Sequence, residues 1–120
     1  MRRILTVDDS ASIRQMVSFT LTKAGYEVAE AVDGRDGLAK AGGARADLVI
    51  TDLNMPNMDG IEMIAALRKL PGYGFTPILM LTTESQAGIK DAGRKAGATG
   101  WIVKPFNAEQ LTAVVQKLVK

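Results

Sequence analysis

A chain of 120 residues, 47% apolar and 23% charged, is sized for one domain, and folding should bury roughly two-thirds of its extended surface, enough for a core without staples. The sequence has neither cysteine nor histidine. That excludes disulfide frameworks, thiolate or imidazole metal sites, serine–histidine triads and any histidine carrying a phosphoryl group on this chain. The net charge of +2 comes from 15 basic and 13 acidic residues spread along the chain, not gathered in a stripe, which argues against nucleic acid as a partner and leaves oxygen-ligated hard cations open.

Behind Met1, Arg2 and Arg3, the apolar run over 4–7 is cut by Asp8 and Asp9, too short for a signal peptide or a span, and no later run approaches bilayer length. No membrane is expected, and the cytoplasm is the default compartment. Short apolar runs alternate with stretches of helical spacing, which predicts strands over 3–7, 27–31, 48–51, 77–81 and 100–103. Three of them are nearly continuous apolar runs (Ile4-Leu5-Thr6-Val7, Leu48-Val49-Ile50-Thr51, Ile78-Leu79-Met80-Leu81), as expected for central strands covered on both faces. Glu27-Val28-Ala29-Glu30 alternates and reads as an edge. Between the first two strands Ile13, Met16, Val17, Thr20, Leu21 and Ala24 recur at helical spacing, with Ser10 placed as N-cap and Gly25 as the stop. Further helices are expected over 34–41, 61–69, 85–96 and 108–119, separated by Gly42-Gly43, Pro71-Gly72, Gly97 and Lys104-Pro105. The result is five β/α units in a single domain over 1–120, an α/β fold with helices on both faces of a parallel sheet. Gly88 and Gly93 each cost about 1 kcal/mol relative to alanine inside the fourth helix, which makes it the least rigid of the five; the plain reading is a poor helix, the other is looseness put to use.

In an open parallel sheet, ligands sit outside the carboxyl ends of the strands. Those ends carry Asp8 and Asp9, Asp52, Thr82 and Thr83, and Lys104. Each has a plain explanation by itself: Asp9 or Ser10 caps a helix, Asp52 starts a turn, Lys104 is a solvated loop residue. Together they are harder to dismiss, because three carboxylates converging on one sheet edge raise each other's pKa unless a cation intervenes. An all-oxygen set suits Mg²⁺, which joins one or two carboxylates to phosphate oxygens, and three acids with one lysine leave a formal charge of about −2 for it to cancel. Asp52, central on the sheet, becomes the candidate nucleophile, with Lys104 and Thr82 available to hold the oxygens of a transferred phosphoryl group.

The pieces Val7-Asp8-Asp9-Ser10, Thr51-Asp52-Leu53-Asn54-Met55-Pro56 with Met58-Asp59-Gly60, Leu81-Thr82-Thr83 and Val103-Lys104-Pro105-Phe106, at separations of 43, 30 and 22 residues between Asp9, Asp52, Thr82 and Lys104, resemble those of a response-regulator receiver domain over essentially the whole chain. The resemblance implies a flavodoxin-like (βα)5 fold of strand order 2-1-3-4-5, phosphorylated on Asp52 by a histidine kinase. It implies Mg²⁺ held by Asp9, Asp52 and the carbonyl of Asn54, with Asp8 acting mostly through water. Lys104 would pair with Asp52 and then with the phosphoryl group, and the Thr82 hydroxyl would close onto a phosphoryl oxygen, the N–H groups of Leu53 and Thr83 completing the cradle. The receiver would catalyse its own phosphoryl uptake and hydrolysis.

Two positions depart from the family's usual residues. Trp101 stands where tyrosine or phenylalanine is common; it either turns inward as part of the switch or is a static interfacial tryptophan. Thr83 stands where alanine or glycine is common, and a β-branched neighbour there slows access to the phosphoryl group. By the same resemblance the Lys104–Pro105 bond is expected to be cis. Other classes fit less well: Asp8-Asp9 would repel the phosphate of a flavin, and a haloacid-dehalogenase-type phosphatase needs an acid where Asn54 stands. A purely structural interaction module leaves Asp52, Lys104 and Thr82 together unexplained. As the chain stops after the fifth helix, the expected output is protein binding by the receiver itself, as a monomer. The run from Gly97 to Phe106 is similar to the stand-alone CheY type of chemotaxis regulator. That implies a CheA-type kinase as donor and a flagellar motor switch protein, or a phosphatase, meeting a face that includes Lys90, Arg94 and Trp101. The alternative is a relay intermediate or phosphate sink.

Overall fold

Consecutive residues of a strand point to opposite faces, so an unbroken apolar run is stable only where helices cover both sides. The computed structural model, which describes residues 2–53, 55, 58–83 and 87–119, meets this condition. Strands β1 (Arg3–Val7), β2 (Glu27–Ala31), β3 (Leu48–Asp52), β4 (Ile78–Thr82) and β5 (Gly100–Val103) alternate with helices α1 (Ala11–Lys23), α2 (Gly34–Gly43), α3 (Gly60–Arg68), α4 (Ala87–Ala96) and α5 (Ala108–Leu118). The strands form one parallel sheet in the order β2-β1-β3-β4-β5, the flavodoxin-like arrangement expected, with the alternating strand β2 at an edge.

Each face has its own core. Ile4, Leu48, Ile50, Leu79 and Leu81 meet Val17 and Leu21 of α1 and Leu111 and Val115 of α5. Leu5, Val7, Val49, Ile78 and Met80, alternating with them along the same strands, meet Met63, Ile64 and Leu67 of α3. Burying a side chain of this size stabilises by about 1.5–3 kcal/mol, so the sheet is clamped from both sides. Among the described residues, no helix is long and apolar enough to cross a membrane.

Local signals account for most boundaries. The Ser10 hydroxyl accepts from the Ile13 N–H, and Gly25 closes the first β/α unit at φ 101°, a conformation that favours glycine. Two expectations shift. Gly42 and Gly43 were expected to break the second helix, but neither adopts positive φ and helix bonding continues through Ala44, whose N–H donates to the Lys40 carbonyl. β3 and β4 each run one residue further than the apolar pattern, so Asp52 and Thr82 are the last rungs of ladders, not the first residues of loops. The start expected for the fourth helix, Ser85, lies outside the described residues.

At the amino end of the strands, Arg68 closes the structure. Its guanidinium donates to the Gly97 carbonyl from Nε (3.1 Å) and Nη2 (2.7 Å), and from Nη1 to the carbonyls of Tyr73 (2.8 Å) and Thr76 (2.6 Å). The buried Tyr73 hydroxyl accepts from the Ala46 N–H and donates to the Ala41 carbonyl.

The start of α3 is pressed against the sheet. Asp59 and Glu62 form a reciprocal capping box, and the Gly60 N–H donates to the Leu53 carbonyl at 2.8 Å. A β-carbon on Gly60 would lie 2.3 Å from the Asp52 carbonyl oxygen, so this position has no room for a side chain. Gly60→Ala is therefore expected to destabilise by about 1–3 kcal/mol through overpacking, although alanine is the better helix former by about 1 kcal/mol. Urea unfolding checks this; a variant as stable as the parent would show that the backbone behind Asp52 gives way freely.

Candidate functional site

Strand register gathers the site. Val7 pairs with Thr51, so the residues that follow, Asp8 and Asp52, leave the sheet side by side. Asp52 in turn pairs with Leu81, next to Thr82, and Thr82 pairs with Val103, next to Lys104, whose N–H donates to the Thr82 carbonyl at 2.7 Å. Residues up to 96 positions apart in sequence thus meet at one sheet edge because parallel ladders end in step.

Asp8, Asp9 and Asp52 each offer a carboxylate oxygen within 4.8 Å of the others. Asp8 and Thr82 are fully buried, Asp52 is 7% exposed, and Asp9 is open to solvent. Lys104 Nζ donates to Asp52 Oδ1 at 3.0 Å and stands 3.6 Å from Asp8 Oδ2. The second distance is an ion-pair contact too long for a hydrogen bond, and Asp8 Oδ2 is buried with no hydrogen-bond partner. The other Asp8 oxygen accepts from the Ser10 N–H at 2.9 Å. Three oxygen donors, one of them an orphan aimed into the cluster, fit a hard divalent cation, and nothing softer is at hand.

Asn54 lies outside the described residues. The Lys104–Pro105 bond is cis. The N–H of Leu53 donates to the Leu81 carbonyl at 3.2 Å, so in this arrangement the β3–β4 pairing holds the group expected to help cradle a phosphoryl oxygen. Thr83 is exposed. With Ile13, Met16, Lys104, Pro105 and Phe106 it lines a recess of about 260 Å³ beside the acidic cluster. Trp101, half-buried against the α3 side of the core, lies under the guanidinium of Arg94, 5.7 Å from its ring centre. Of Lys90 only the backbone is described. One contact had not been anticipated from the sequence: Arg14 Nη1 donates to the Asp8 carbonyl at 2.7 Å.

Burial is the largest influence on Asp8, pushing its pKa above the ordinary 3.8; the Ser10 N–H and Lys104 pull it down, while Asp52 and Asp9 add to the rise. A carboxyl whose folded pKa is raised holds its proton more tightly folded than unfolded. Its stabilising contribution is complete below about pH 3.8 and is lost as pH rises through the elevated folded value. Ionised Asp8 therefore strains the metal-free protein at neutral pH. Asp8→Asn, which still accepts from Ser10, should raise the thermal midpoint in chelator at pH 7 and leave it unchanged or lower near pH 3; a lower midpoint at pH 7 would contradict the argument.

The profile of the response regulator receiver domain family matches residues 4–116. RpaA of Synechocystis, a DNA-binding dual master transcriptional regulator, is 39% identical over 120 residues, all of this chain and 50% of that protein, so the chain spans half the length of this curated relative. Among solved structures, the chemotaxis protein CheY4 of Vibrio cholerae is 57% identical with a TM-score of 0.96, covering 98% of both chains. The receiver domain of a sensor histidine kinase from Pseudomonas aeruginosa, solved with magnesium coordinated in its active-site cleft, is 25% identical with a TM-score of 0.91, covering 98% of this chain and 97% of that one. With its acidic edge, its lysine and its 2-1-3-4-5 sheet, the chain belongs to the response regulator receiver domains of two-component systems.

Proposed function

We propose that Asp52 accepts a phosphoryl group from the phosphohistidine of a CheA-type histidine kinase, and that the phosphorylated chain signals in the cytoplasm by binding another protein, the flagellar motor switch. The observation that carries this reading is the sharing of one ammonium group, Lys104, by Asp52 and a buried Asp8 oxygen that otherwise lacks a partner. Asp8, Asp9, Asp52 and the Asn54 carbonyl are the residues that would hold Mg²⁺, and the magnesium described in the Pseudomonas receiver supports that assignment. When bound, Mg²⁺ supplies positive charge that cancels the carboxylates and draws phosphoryl oxygens toward them.

The chain's own residues do the rest. An Asp52 carboxylate oxygen attacks phosphorus, the P–N bond of the phosphohistidine breaks, and the imidazole leaves with the electron pair and takes up a proton. The product is an acyl phosphate, a mixed anhydride that an aligned water hydrolyses to restore Asp52. Lys104, already at 3.0 Å from Asp52 Oδ1, transfers its contact to a phosphoryl oxygen. The Thr82 hydroxyl donates to another, drawing the end of β4 toward the site. That shift passes to the face carrying Arg94 and Trp101, where the motor switch would bind. The full-length likeness to CheY4 favours chemotaxis as the setting. The alternative, a relay intermediate or phosphate sink, shares all the chemistry and differs only in what is bound afterwards.

Incubation with acetyl phosphate and Mg²⁺ should add one phosphoryl group, seen by intact-protein mass spectrometry, and the addition should vanish in Asp52→Asn. Lys104→Ala should slow uptake by about a hundredfold or more, the scale of losing a preorganised charge in the transition state. An Asp52→Asn protein that labels like the parent removes Asp52 from the mechanism. For output, beryllofluoride with Mg²⁺ should alter Trp101 emission and strengthen binding of a motor-switch peptide. Equal binding by both forms sinks the motor version and leaves the relay.

A further inference from the structure

Asp8 is tied down at nearly every polar atom. Its N–H donates to the Ala31 carbonyl at 3.1 Å, its Oδ1 accepts from Ser10, and its carbonyl accepts from Arg14 Nη1 at 2.7 Å. Only Oδ2 is left toward the acidic cluster. At the end of β1, where the chain turns into α1, the Asp8 carbonyl would otherwise be an acceptor without a partner at the root of a buried carboxylate. Arg14 meets that need from an unfavourable place. It is the fourth residue of α1, whose first turn contains no acid, and a cation near a helix N-terminus opposes the helix dipole. It also sets positive charge one residue from a cation site. The Glu30 carboxylate offsets the charge and keeps the geometry: Arg14 Nε donates to Glu30 Oε1 at 3.1 Å, while the Glu30 backbone carbonyl is held separately by Lys40 Nζ at 2.5 Å. The guanidinium is largely covered, and its two contacts use different nitrogens of the planar fork, which a lysine cannot reproduce.

We infer that Arg14, braced by Glu30, is a positioning residue for the cation site: it holds the backbone of Asp8 so that Oδ2 faces the cluster with Asp9 and Asp52. The inference rests on the magnesium assignment of the preceding subsection. Its test turns on sign. If Arg14 acts only through charge, its removal tightens Mg²⁺ binding, because a like charge has been taken away. If it acts by position, removal weakens binding in spite of that.

Isothermal titration of the metal-free protein with Mg²⁺ separates the two. Arg14→Ala should bind Mg²⁺ about tenfold more weakly than the parent, the size of a lost outer contact to a ligand residue, and Arg14→Lys should fall between them. Unfolding midpoints in chelator accompany each titration, since a merely structural role lowers the midpoint without moving the affinity. Equal or tighter Mg²⁺ binding by Arg14→Ala overturns the inference. Should the alanine variant not fold, Arg14→Lys decides: parental affinity overturns it and weaker affinity upholds it. The magnesium assignment fails separately, and the inference with it, if the parent shows no Mg²⁺ heat or if Asp9→Asn leaves that heat unchanged.

Discussion

The structure depends on an imbalance of charge at one edge of the sheet. Three carboxylates are brought within a few ångströms of one another by strands that end in step, and Lys104 stands among them. Hydrophobic burial forces the arrangement. The apolar runs of β1, β3 and β4 are covered on both faces, and once their register is set their last residues have nowhere else to go. Packing energy thus holds together charges that would separate in a free chain.

Such an edge needs a backbone that does not relax. Behind Asp52, Gly60 brings the first turn of α3 so close that a methyl group is excluded, and the Asp59–Glu62 capping box fixes where that helix starts. Beneath Asp8, Arg14 and the Ser10 N–H hold the other side. Farther along, Gly93 of α4 faces Met80 so closely that a β-carbon would lie 2.7 Å from the methionine methyl. The fourth helix therefore packs directly on β4, the strand whose last residue is Thr82, and Trp101 pairs in register with that same Met80. Met80 thus lies against α4 at Gly93 and beside Trp101 across the β4–β5 ladder, two residues before Thr82 at the acidic edge.

Much of this was legible in the amino-acid order. Alternation against unbroken apolar runs separates the edge strand β2 from the central strands, and Ser10 and Gly25 bracket α1, because these signals are local and each has one dominant physical cause. The convergence of Asp8, Asp9, Asp52 and Lys104 was legible too, since they fall at the ends of neighbouring parallel strands and the ladders end in step. Other features were hidden because they arise only after folding. The glycine at 93 reads as a propensity cost in sequence and proves to be a close approach. The pair Gly42-Gly43 reads as a break, yet with open space where a β-carbon would stand and no positive φ it simply continues the helix. Arg14 could have been suspected from a basic residue in the first turn of a helix, but its partners, the Asp8 carbonyl just past β1 and Glu30 of β2, meet only because those strands are adjacent, which is a tertiary fact.

The opposite end of the sheet is built on other terms. Arg68 gathers the carbonyls of Tyr73, Thr76 and Gly97, with no acid among its partners in the described residues, and Tyr73 bridges two further backbone groups. Burial lowers the Arg68 pKa, yet a guanidinium still keeps its proton at any pH a cell reaches, and peptide carbonyls do not titrate. The molecule is thereby divided into a rim that holds the buried carboxyl of Asp8, whose protonation relieves strain, and a base whose bonds do not titrate, so acidity eases one end while the other serves as a fixed anchorage.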